Sequence, residues 1–123
     1  MSNNIVPSPT PPWHRPVQSP NTETLTSDGT ISLNTDVTYL ETDVLKTDPA
    51  DPYVAVLPNG NYLRQIKRIY VPKAFENSTA PWRLTGTFVG FLQLLFDNIG
   101  RAAVLEWDGE GWHLIGGNAT PQD

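Results

Sequence analysis

The amino-acid sequence predicts an all-β fold: antiparallel β-hairpins forming a sandwich- or barrel-like domain behind an extended Pro-rich N-terminal arm. Three observations carry the prediction. About eight to ten short β-prone runs are separated by Gly, Pro, Asn and Asp turn signals. No stretch sustains a helical period: the leucines of 88–96 favour one, but Gly86, Gly90 and the Thr and Val content favour strands bent at the glycines. Six of the twelve prolines fall in the first 20 residues, where they fix φ and remove backbone donors, so that segment supplies neither a helix interior nor a central strand.

The 123 residues fit one domain with added segments. The expected division is an arm over 1–20, an all-β domain over 21–119 and a flexible tail over 120–123. Ile5, Val6, Trp13 and Val17 stand among the arm's prolines. Trp and Arg are frequent interface anchors, so Trp13-His14-Arg15 is the candidate docking point, with a disordered leader carrying a chance Trp as the plain alternative.

Beyond the arm, Asp28-Gly29 lies between two β-prone runs and predicts a hairpin, because both residues tolerate the positive φ of a tight turn. Residues 37–40 read as a strand, and Asp48-Pro49-Ala50-Asp51-Pro52 as a rigid loop. Residues 53–57 and 62–71 read as a second hairpin closed at Pro58-Asn59-Gly60. A connection over 72–81 leads into 82–96, the most apolar part of the chain. Asp97-Asn98-Ile99-Gly100 turns the chain into 102–107, Asp108-Gly109-Glu110-Gly111 forms a four-residue loop, and 112–115 return antiparallel. That pairing sets Trp107 opposite Trp112 at the loop base. Residues 116–123 are polar and expected to fray.

A formal charge of −5, from 8 Lys+Arg and 13 Asp+Glu, argues against a general polyanion binder. The charge is uneven. Residues 21–52 hold seven carboxylates against Lys46, and 61–83 hold Arg64, Lys67, Arg68, Lys73 and Arg83 against Glu76. These blocks are either two solvated surfaces or complementary faces that meet between copies. No apolar run approaches the roughly 18 residues of a membrane helix, and the first residues lack the basic and apolar regions of a signal peptide. A soluble, non-exported protein without a membrane partner is expected. The absence of cysteine excludes disulfides, thiolate metal sites and cysteine nucleophiles.

His14 and His113 have no partners at metal-ligand spacing, and Asp43, Asp48 and Asp51 do not match a calcium loop. There is no phosphate loop, dinucleotide fingerprint or nucleophile elbow. Glu106 with Asp108 or Glu110 lies too close on one hairpin to flank a glycosidic bond. No enzymatic activity, cofactor, metal or small-molecule ligand is expected. Arg64, Lys67 and Arg68 beside Tyr62 and Tyr70 imitate an oligonucleotide-binding face, which supports a single-stranded nucleic-acid-binding β-barrel as an alternative; the net charge opposes it.

Residues 57–69, Leu-Pro-Asn-Gly-Asn-Tyr-Leu-Arg-Gln-Ile-Lys-Arg-Ile, are followed at 105–119 by Leu-Glu-Trp-Asp-Gly-Glu-Gly-Trp-His-Leu-Ile-Gly-Gly-Asn-Ala. In that order they resemble small β-rich virion proteins of tailed bacteriophages, particularly phages of cyanobacteria and other aquatic hosts. A Leu-Pro-Asp/Asn-Gly…Gly-Gln-Ile-Lys hairpin, an apolar middle and a closing Trp-Asp-Gly-x-x-Trp-x-x-Ile-Gly hairpin recur in their fibre tips and capsid-surface proteins. The likeness covers roughly residues 35–119. Leu57-Pro58 and Gln65-Ile66-Lys67 match, while Asn61-Tyr62-Leu63-Arg64 stands where the pattern has a glycine.

The resemblance implies a non-enzymatic homotrimer whose strands intertwine about a three-fold axis, in a role on the virion. A small domain with a rich apolar stripe points the same way, since an oligomer buries what a thin sandwich leaves exposed. Trp82, Phe88, Phe91, Leu92, Leu94, Phe96, Trp107 and Trp112 are the candidate core or trimer-interface residues. A short chain with a Pro-rich arm suits a capsid decoration, or cement, protein that clamps neighbouring major capsid subunits at the capsid surface, with Ile5, Val6, Trp13 and Arg15 as capsid contacts. A head- or tail-fibre receptor-binding module is the alternative within the virion, with the 107–112 hairpin tip as its binding surface. No specific nucleic-acid partner is expected.

Overall fold

The computed structural model describes residues 21–41, 48, 50–72, 80–97 and 99–123. These residues contain no helix. The strands are β1 (Thr22–Leu25), β2 (Gly29–Thr30), β3 (Val37–Leu40), β4 (Tyr53–Val56), β5 (Ile66–Tyr70), β6 (Trp82–Thr85), β7 (Gln93–Phe96), β8 (Ala102–Trp107), β9 (Trp112–Gly117) and β10 (Thr120–Gln122). They form two five-stranded sheets, ordered β1-β3-β5-β8-β9 and β10-β7-β6-β4-β2. The all-β class holds, as two mixed sheets that do not close into a barrel.

From β1 to β6 the chain changes sheet at every step, so strands adjacent in a sheet run parallel: β1 with β3, β3 with β5, β2 with β4 and β4 with β6. The remaining pairs are antiparallel: β6 with β7, β7 with β10, β5 with β8 and β8 with β9. Two expected hairpins are therefore replaced by arches between sheets. Asp28-Gly29 links strands of different sheets, Gly29 has no positive φ, and Asp28 Oδ1 accepts a hydrogen bond from the Val54 N–H at 3.0 Å. Pro58-Asn59-Gly60 likewise joins β4 to β5 across the sandwich, and its glycine serves close packing instead of a turn. The arrangement at 108–111 is the expected one: Trp107 pairs with Trp112 and Gly109 has φ +99°.

Alternation explains why both sheets share one core. Leu40, Ile69, Leu105 and Trp112 from one sheet meet Tyr53, Trp82, Leu84, Leu94 and Phe96 from the other, all essentially inaccessible. Tyr53 and Trp82, opposite each other in the β4–β6 register, stack with ring centroids 5.2 Å apart. Full burial of such side chains contributes about 1.5–3 kcal/mol each, before the entropic cost of ordering them.

The expected frayed end is also corrected. Gly117 has φ +97°, and a Cβ there would sit 2.3 Å from the Ala102 carbonyl oxygen. The chain then bends back: the Asn118 and Ala119 N–H groups both donate to Ala102 O at 2.9 Å, and Asn118 Oδ1 accepts from the Ala102 N–H at 2.8 Å. Ala119 enters the core, and 120–122 become the edge strand β10 on β7.

Strand directions place the connections at 31–36, 57–65, 86–92 and 108–111 at one end of the sandwich, together with Asn21 and the last residues of β10. The connections at 26–28, 97–101 and 118–119 lie at the other.

Candidate binding groove

The end holding the four connections is fastened by buried polar groups. Lys67 on β5 points inward with Ile69 and is wholly inaccessible. Its Nζ donates to Ser32 O at 2.9 Å, Thr35 O at 2.8 Å and Thr35 Oγ1 at 2.6 Å, so each ammonium proton has an acceptor. Glu23 Oε2 stands 3.7 Å from Nζ and accepts from the Ser32 N–H and the Thr35 hydroxyl, both at 2.8 Å. Burial pushes the Lys67 pKa below its usual 10.5, with Glu23 and then Asp36 opposing the shift. Gln65, nearly as buried, accepts from the Asn61 N–H at 2.6 Å and donates to Leu33 O at 3.3 Å. Lys67 is therefore a fastening inside the sandwich, and the basic face imagined for nucleic acid loses its central cation.

The segments 57–69 and 105–119 are packed against one another here. A Cβ on Gly60 would lie 2.2 Å from Trp107 Cγ, so the absence of a side chain admits the indole. The Arg64 N–H donates to Trp107 O at 2.8 Å from a backbone at φ 68°, the Trp107 N–H donates to Gln65 O at 2.9 Å, and Trp112 Nε1 donates to Pro58 O at 2.9 Å. The two indoles lie 5.4 Å apart, tilted by 60°. Asp108 Oδ1 accepts from the N–H groups of Glu110 at 2.8 Å and Gly111 at 2.7 Å, and its Oδ2 lies 2.5 Å from His113 Nε2. Those backbone donors, with His113, bring the Asp108 carboxyl down to about 2. Trp107 and Trp112 are 6% and 0% exposed, so neither offers a stacking face to a glycan. Among the described residues, Val56, Tyr62, Leu63, Val89 and Leu92 are exposed apolar groups at this end.

The groove lies on the outer face of the β1-β3-β5-β8-β9 sheet. Parallel register sets Val37 opposite Arg68 and Tyr39 opposite Tyr70, with the tyrosine rings 6.2 Å apart at 33°. These four side chains line a groove of about 710 Å³ that runs from Asp36 at the four-connection end to Pro72, Ile99 and Arg101 at the other. The far wall is held by reciprocal backbone bonds: Gly100 N–H to Val71 O and Val71 N–H to Arg101 O, both 2.9 Å, with Gly100 at φ +85°. Arg101 Nε pairs with Asp97 Oδ1 at 2.8 Å. A floor of Tyr39 and Tyr70, with Pro72 and Ile99 on the far wall and the charged groups Asp36, Arg68 and Arg101 also in the lining, suits an extended apolar or proline-rich segment. Among the described residues no cluster of three His, Asp or Glu forms a candidate metal site.

Of the sequence-predicted residues, Trp82, Leu94, Phe96, Trp107 and Trp112 lie in the chain's own core, Phe88 and Phe91 stack 4.7 Å apart while half-buried, and Leu92 is 69% exposed. Most of the apolar stripe thus needs no partner chain to cover it. Ile5, Val6, Trp13 and Arg15 lie outside the described residues. Sequence reasoning missed Tyr39 as a groove residue and gave Tyr70 a different role. Val37-x-Tyr39 and Arg68-x-Tyr70 share strand parity, but only the parallel β3–β5 register brings them together. A scan of protein-family models and searches of curated proteins and of solved structures find no match to the chain.

Proposed function

We propose that the chain is a structural protein of a tailed-phage virion: a homotrimeric capsid decoration protein that joins neighbouring major capsid subunits through its Pro-rich arm. One observation carries the reading. The two segments that resemble virion proteins, distant in sequence, are locked into a single unit by the Gly60–Trp107 contact and the Trp112–Pro58 hydrogen bond. Their glycines, indoles and Asp108 serve that lock. What the unit leaves outward is Tyr62 and Leu63, 64% and 63% exposed, with Val89 and Leu92 on the neighbouring connection. Apolar groups gathered at one end of a small domain favour association over catalysis.

In this reading the end rich in exposed apolar groups gathers three copies about an axis, and the arm, which enters the sandwich at that same end, reaches outward to the capsid. Residues Ile5, Val6, Trp13 and Arg15 make the capsid contact. Light scattering of the purified chain tests the assembly: a mass of about three times the 13.6 kDa chain is expected for closed three-fold symmetry. A stable monomer at working concentrations removes the trimeric decoration protein.

A further inference from the structure

The strongest unassigned feature is the aromatic groove, and what it lies next to says what fits it. Asn21, the residue that follows the arm, accepts hydrogen bonds on its carbonyl oxygen from the N–H groups of Asp36 at 2.8 Å and Val37 at 3.2 Å, and its side chain donates to Asn34 O at 2.7 Å. Asp36 and Val37 are themselves groove residues. The arm therefore joins the sandwich at the mouth of the groove.

We propose that the groove is the seat of the chain's own arm, with Pro16-Val17 on Tyr39 and Tyr70 and Trp13 against Pro72 and Ile99. Distances along the chain agree. In a polyproline helix, at about 3.1 Å per residue, Val17 reaches about 12 Å from Asn21 and Trp13 about 25 Å. Along β3, at about 3.3 Å per residue, Tyr39 lies about 10 Å beyond Asp36, and the Pro72–Ile99 wall lies further on. The chemistry agrees as well. Pro16-Val17-Gln18-Ser19-Pro20 carries no charge, and a proline-rich segment has already lost much of the entropy that docking on aromatic rings would otherwise cost. The inference concerns the free chain and does not depend on the capsid reading; the capsid contact proposed for Trp13 requires that residue to leave the groove on docking.

The test uses the full chain labelled with 5-fluorotryptophan. Fluorine NMR resolves four tryptophans, the Trp13 signal being the one missing from Trp13→Phe, and a soluble paramagnetic agent measures the exposure of each. The Trp13 signal is expected to be broadened several-fold less than free fluorotryptophan, and to lose that shielding in Tyr70→Ala and in Ile99→Ser. Unchanged signals from Trp82, Trp107 and Trp112 certify that each variant is folded, and Ile99, on a connection, gives a site that can change without disturbing a strand. Trp13 as exposed as the free amino acid in the parent chain overturns the proposal, as does shielding that survives both substitutions. Co-expression of Tyr70→Ala with Trp13→Phe chains separates the arm's own groove from a neighbour's: Trp13 stays exposed if the arm seats in its own chain, and shielding regained in the mixture overturns that assignment.

Discussion

Lys67 puts an ammonium group where β5 faces the core, a position the sequence alternation reserves for an apolar side chain. The cost of burying it is offset because Ser32, Thr35 and Glu23 arrive together on the β2–β3 connection and on β1. Removing the cation takes a charged donor from Ser32 O, Thr35 O and Thr35 Oγ1 and the counter-charge from Glu23. Lys67→Met is expected to destabilise the fold by about 3 kcal/mol, seen as a lower urea midpoint at unchanged slope. The pH dependence has a definite sign. With its pKa lowered in the folded state, Lys67 binds fewer protons folded than unfolded between that value and 10.5, so its contribution to stability rises with pH across that window. The stability difference between the parent chain and Lys67→Met should grow there. Asp108 acts at the other extreme: held at about 2 against 3.8, its stabilising contribution is complete above 3.8 and is lost as the pH falls through about 2. Acid titration of the parent chain against Asp108→Ala should show their stability difference shrinking over that range.

At the scale of elements, Asp28-Gly29, Pro58-Asn59-Gly60 and Asp108-Gly109 all carry turn chemistry, yet only the last closes a hairpin. A turn signal locates a reversal of the chain without saying whether the next strand joins the same sheet. That choice follows from which inward faces meet, here the core shared by Leu40, Tyr53, Ile69 and Trp82, and no local pattern contains it. Strand positions were legible because period-2 alternation is local. The parallel register that pairs Tyr39 with Tyr70, and with it the groove, was not. The Trp107–Trp112 pair was legible because a four-residue loop fixes its own register. Gly60 shows the difference between a turn glycine and a packing glycine: without positive φ, its role is to leave room for Trp107. Gly60→Ala is expected to cost about 2 kcal/mol through displacement of that indole, measured by the urea midpoint. An unchanged midpoint would mean the two connections slide apart freely.

At the scale of the whole molecule, the acidic and basic blocks of the sequence meet inside one chain. Strand β3, from the acidic stretch, lies between β1 and β5, the latter from the basic one, and Glu23 of β1 faces Lys67 of β5 across the interior. Charge complementarity is thus spent partly within the fold, and it does not by itself call for a second copy. The case for assembly rests on the exposed apolar end and on the arm that enters there. Because β1 to β5 pair only with strands that are not their neighbours in sequence, folding should be slow for a chain of this size, in the millisecond-to-second range of non-local β topologies. The proposed role in capsid decoration is tested most directly by sedimentation of the purified chain with undecorated heads of candidate tailed phages, alongside a variant lacking residues 2–20. The full chain is expected to pellet with heads at saturable stoichiometry and the variant to remain in the supernatant. A full chain that stays in solution, or a variant that binds heads equally well, would contradict the account.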